Sequence, residues 1–106
     1  MRYLWIAAPA GVLFAGGLCV AASTDIDQVG QKFSQTSLGV GRGDVVRFIN
    51  HDDVTHNINV IDANDIGLDK GLQKPGESIE QVFDAAGKFV VRCGIHPKMK
   101  MTVAVK

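Results

Sequence analysis

From residue 3 to residue 22 the chain is uncharged and mostly apolar, and beyond Asp25 it changes to short runs in which apolar and polar residues alternate. Alternation at period two places successive side chains on opposite faces of a strand. It predicts strands over residues 44–50, 56–61, 78–83, 88–93 and 101–105. In the second run His56, Ile58 and Val60 share a face, and in the fourth Phe89, Val91 and Cys93 do. Residues 26–33 form a weaker first strand. Turn residues separate the runs: Gly39, Gly41 and Gly43 before the first, Pro75-Gly76 before the third, and residues 84–87 before the fourth. Residues 63–74 carry no period and read as a loop or a short helical turn. Strands at this spacing predict an all-β sandwich or barrel.

The apolar start reads as a secretory signal. Arg2 is its one charge, and small residues close it at Val20-Ala21-Ala22, so cleavage is expected after Ala22. Residues 1–22 are then the signal peptide and residues 23–106 the domain, exported to the periplasm and free of the membrane. An uncleaved span is the alternative, since about 20 apolar residues cross a bilayer.

Export changes what the composition means. The 106 residues hold two cysteines and carry no formal net charge, with 11 Lys+Arg against 11 Asp+Glu. Without Arg2 the domain has a charge of −1, which argues against nucleic acid as a partner. Cys19 goes with the signal, leaving Cys93 alone in an oxidising compartment. A thiol there is a liability unless it is buried, paired between chains or bound to something.

The residues around Cys93 supply a use for it. Cys93-Gly94-Ile95-His96-Pro97-Lys98-Met99 puts a thiolate, an imidazole and a thioether within seven residues, and His56 opens an inward strand face upstream. Two histidines, a cysteine and a weak axial methionine form the ligand set of blue-copper electron-transfer sites. Singly, a buried cysteine is commonly an inert hydrophobe and methionines are core filler. Together the four point to metal. His51 lies in the polar run Asn50-His51-Asp52-Asp53 and reads as a solvated turn residue. Lys98 and Lys100 read as solvated charges, or as steering groups for an acidic partner.

The runs 45–50, 55–58, 86–93 and 94–99 resemble the cupredoxin family, its amicyanin, pseudoazurin and plastocyanin group above all. The likeness covers residues 26–106. It implies an eight-stranded Greek-key β-sandwich holding one mononuclear copper, with His56, Cys93 and His96 as equatorial ligands and Asn57 tying the ligand loops together. Met99 suits the short amicyanin-like loop as the axial ligand, and Met101 suits the longer plastocyanin spacing. The resemblance further implies a monomeric one-electron carrier, not an enzyme, that meets redox proteins transiently, such as an amine dehydrogenase and a c-type cytochrome. Copper storage or delivery is the rival reading.

Overall fold

The computed structural model describes residues 21–106. The segment read as a secretory signal lies outside those residues, except for Ala21 and Ala22. The described chain forms eight strands: β1 (Ser23–Gln28), β2 (Ser37–Val40), β3 (Asp44–Asn50), β4 (His56–Ile61), β5 (Gly67–Gln73), β6 (Ser78–Phe83), β7 (Gly87–Arg92) and β8 (Lys100–Val105). They build a three-stranded sheet in the order β1-β3-β6 and a five-stranded sheet in the order β2-β8-β7-β4-β5. This is the all-β sandwich that the alternation and the cupredoxin likeness predict.

Each sheet has one greasy face, and the two faces close on each other. Ile26, Val46, Phe48 and Phe83 come from the smaller sheet. Ile58, Val60, Val91, Met101, Val103 and Val105 come from the larger. Alternation survives in the burial: along β3 Val46, Phe48 and Asn50 point inward while Arg47 does not. An edge-to-face pair, Phe83 on Phe89 at 5.2 Å between centroids, joins the two layers, and Phe33 packs on Phe48 at 5.9 Å beside the smaller sheet.

Three elements depart from the sequence reading. The first strand covers Ser23–Gln28 and stops where Val29 and Lys32 exchange backbone hydrogen bonds of 3.0 and 3.2 Å. Gly30 and Gln31 between them have φ of 62° and 57°, the two positive values of a type I′ hairpin turn. Phe33 bridges back to Gln28 and still reaches the core. Residues 63–74 are neither loop nor helical turn throughout, because β5 occupies Gly67–Gln73. It is an edge strand with only Gln73 fully buried, so it has no greasy face to impose a period. Pairing with β4 holds it, through a register shift between Ile58 and Asn59 opposite Gly71, whose φ is 105°. The short strand Ser37–Val40 was hidden by its length and by Gly39, and it pairs in parallel with β8.

Candidate metal centre

One end of the sandwich collects the chemistry. The three donor atoms of His56, Cys93 and His96 all lie within 4.8 Å of one another. His56 is the first residue of β4, which pairs with β7, and Cys93 is the first residue beyond β7. His96 follows in the loop from β7 to β8. His56 and Cys93 are fully buried and His96 is half-buried, so the centre has one edge toward solvent.

The separations are tight. His56 Nδ1 is 3.1 Å from His96 Nδ1, and Cys93 Sγ is 3.8 Å from each of those nitrogens. His56 Nε2 is 2.7 Å from Asp52 Oδ2. An ionised carboxylate only accepts, so the Nε2–H donates and the Nδ1 lone pair faces Cys93 and His96. Burial pushes the Asp52 carboxyl up. The hydrogen bonds from His56 and from the backbone amides of Gln31 and Gly30 outweigh it and hold the carboxyl below its ordinary value.

The two loops that carry His56 and Cys93 are stitched together by Asn57. Its side-chain Oδ1 accepts from the Gly94 amide at 2.8 Å, and its backbone amide points at Cys93 Sγ at 3.4 Å. Its Nδ2 donates to Asp69 Oδ1 at 2.8 Å and to the Gly71 carbonyl at 3.2 Å. A Cβ at Gly94 would stand 3.0 Å from Asn57 Oδ1, so a larger residue there would press on the Asn57 side chain.

Both methionines are buried, in different places. Val91 pairs with Met101 and Arg92 with Lys100 across β7 and β8. One step further the Cys93 amide donates to the Met99 carbonyl at 3.1 Å, which sets Met99 opposite the cysteine. Met101 belongs to the core layer below, against Val91.

The donor set fits copper. Cys93 is a free thiol, buried, and faced by two imidazole nitrogens rather than by apolar atoms alone. An ion that bonds nitrogen and sulfur at roughly 2.0–2.3 Å, as zinc does, would reach all three atoms. Thiolate and imidazole together are soft enough for Cu(I) and acceptable to Cu(II). His51 stays outside: its side chain is 51% exposed and contacts Asp27 at 3.1 Å.

Sequence reasoning missed Asp52. The run Asn50-His51-Asp52-Asp53 is polar, as a turn should be, and nothing in its composition marks one carboxylate as a partner of the buried histidine. The one usable signal was its place four residues before a candidate ligand histidine.

A family model of copper binding proteins, the plastocyanin/azurin family, matches residues 20–106. The chain is similar to the methylamine utilization protein MauL of Methylorubrum extorquens, 36% identical over 66 residues. That match takes in 60% of this chain and 58% of that protein, so the chain spans less than two thirds of this relative's length. Its fold is similar to an amicyanin variant in the reduced Cu(I) form at pH 4, with a TM-score of 0.73 and 25% identity over 88% of this chain and 90% of that one. It is also similar to a purple cupredoxin from Nitrosopumilus maritimus, with a TM-score of 0.68 and 26% identity over 78% and 99% of the two chains. With the sandwich, the converging histidines and cysteine, and a family match across all the described residues, the chain belongs to the plastocyanin/azurin family of copper binding proteins.

Proposed function

We propose that this chain is an exported single-copper electron carrier that passes one electron at a time between redox proteins and catalyses no reaction of its own. The observation that carries the reading is the convergence of His56 Nδ1, His96 Nδ1 and Cys93 Sγ at one end of a rigid sandwich. Copper, when bound, supplies a Cu(II)/Cu(I) couple. The protein's task is to change little between the two states, and donors fixed on paired strands and on the Asn57 crossing suit it.

His56, Cys93 and His96 would hold the ion, with Met99 as the weak axial donor. The register supports Met99 over Met101, because it stands across from Cys93 while Met101 sits one layer deeper. Four protein ligands leave no open position for a substrate, unlike catalytic metal sites. Residues 1–22 act in this reading as a cleaved signal that delivers residues 23–106 to the periplasm.

His96 offers the exit for the electron. It lies in a shallow groove with Gly30, Gln31, Lys32, Ile95, Pro97 and Lys98. A small surface of this kind suits brief encounters, which electron-transfer complexes use. The likeness to a methylamine utilization protein supports an amine dehydrogenase as donor, with a c-type cytochrome as acceptor.

Loading the purified chain with Cu(II) and recording absorption, spin resonance and voltammetry tests the reading. An intense thiolate-to-Cu(II) band and a reversible couple are expected. A colourless protein, or one that takes only Cu(I) and hands it on without a reversible couple, overturns the electron-carrier assignment. The second outcome identifies a copper-delivery protein.

A further inference from the structure

We propose that Asp52 is the positioning residue of the copper site, a carboxylate locked by the hairpin turn at Gly30 and Gln31 that holds His56 in place and sets a negative charge behind it. The inference rests on the copper reading and adds to it a determinant of the reduction potential.

Bonds to both oxygens fix the carboxylate, and a further bond fixes the backbone that carries it. Oδ1 accepts from the Gly30 amide at 2.6 Å, and Oδ2 accepts from the Gln31 amide at 2.9 Å and faces His56 Nε2 at 2.7 Å. The Asp52 amide donates to Asn50 Oδ1 at 2.9 Å, and Asn50 in turn donates to the Val54 and Gln73 carbonyls. The aspartate therefore has no freedom to turn away from the histidine. Its side chain is only 11% exposed and that of His56 is 0% exposed, so water does little to screen the contact.

The turn that grips it is strained where it does so. Gln31 has φ of 57°, a left-handed conformation that costs a non-glycine residue about 1–2 kcal/mol. Its amide hydrogen is spent on Asp52 and not on its own hairpin, whose closing bonds run between Val29 and Lys32. The same turn forms one wall of the groove beside His96. One device thus serves both histidines: it fixes the buried one through Asp52 and borders the exposed one.

A carboxylate on the far N–H makes an imidazole a stronger donor. A stronger donor favours Cu(II) over Cu(I) and lowers the potential. Supporting groups of this kind typically carry 10–100-fold in metal affinity.

The test compares the copper-loaded chain with Asp52→Asn, which keeps the shape and removes the charge. Asp53→Asn, which removes an exposed charge one residue away, is the control. A tenfold loss of preference for Cu(II) reads as a rise of about 59 mV in Asp52→Asn. Asp53→Asn should move the potential by a small fraction of that. Equal potentials in wild type and Asp52→Asn, or equal shifts in the two variants, overturn the proposal while leaving the copper site standing. A wild type without a copper couple overturns the functional reading itself. If Asp52→Asn does not fold, the imidazole protons of the Cu(I)-loaded wild type decide. A His56 Nε2–H resonance shifted downfield and protected from exchange supports the proposal, and one exchanging freely with water overturns it.

Discussion

The two loops that bring His56, Cys93 and His96 together are built in opposite ways. Residues 93–99 carry Cys93, His96 and Met99 close together, with exposed Gly94, Ile95, Pro97 and Lys98 between them. Apart from the Asn57 contacts to Gly94 and Cys93, few bonds shape this loop: Cys93 to Met99, Met99 to His96, and Arg92 to the Pro97 carbonyl at 3.3 Å. Residues 50–56 deliver only His56, yet Asn50, Asp52 and the distant amides of Gly30 and Gln31 pin it from several sides. One loop holds most of the donors and the other most of the bonds that set the geometry. A metal site needs both, because donors that must reorganise at each electron transfer slow the transfer. The Asn57 side chain is the bridge between them.

Removing that bridge should damage both loops at once. Asn57→Ala leaves the Gly94 amide without its partner and frees Asp69 and the Gly71 carbonyl. Loss of these part-buried bonds together should cost about 2–3 kcal/mol. In a domain of this size that lowers the melting temperature of the metal-free protein by roughly 10–20 °C, readable by calorimetry. A fall of only one or two degrees would show that the loops hold their places independently.

The methionines sharpen the contrast within residues 93–101. Met99→Leu should alter the Cu(II) spectrum and raise the potential, since a weak thioether donor is lost from the site. Met101→Leu conserves volume in the core and should leave the spectrum unchanged, at a stability cost under about 1.5 kcal/mol. The reverse pattern in paired spectra and melting curves would move the axial ligand to Met101.

Gln31 tests the tight loop from its far side. Gln31→Gly relieves the left-handed strain while keeping the amide hydrogen that Asp52 uses. The relief and the flexibility of glycine nearly offset, so stability should change by no more than about 1 kcal/mol. The potential should stay where it is. A large shift in potential would mean that the turn acts on the site by some route other than its amides.

The smallest effect belongs to the open loop's surface. Lys98 is exposed beside His96. Lys98→Glu should slow oxidation of the reduced protein by ferricyanide a few-fold at low ionic strength, and the difference should vanish at high salt. Stopped-flow rates that ignore the substitution would place the electron's exit elsewhere.

The contrast between the loops also explains what could be read from the chain. The convergence of His56, Cys93 and His96 was legible because its chemistry is local: donor side chains at ligand spacing, and a histidine opening an alternating strand. The strands whose inner faces meet the core were legible for the same reason, as along Val46-Arg47-Phe48 or Met101-Thr102-Val103. The edge strand Gly67–Gln73 was not, because backbone pairing with β4 shapes it and its side chains record little of that. Asp52 was hidden by distance. Its partners Gly30 and Gln31 lie more than twenty residues upstream and contribute backbone amides, which every residue but proline has. Ligands are written in side chains, and much of what holds them is written in the fold.

The most direct test is a titration of the full chain with Cu(II), followed by visible absorption in wild type and in Cys93→Ala. An intense thiolate-to-Cu(II) band should grow to one equivalent of copper in wild type and be absent in Cys93→Ala. A band that persists without Cys93, or a wild type that stays colourless past one equivalent, would contradict a copper centre built on His56, Cys93 and His96.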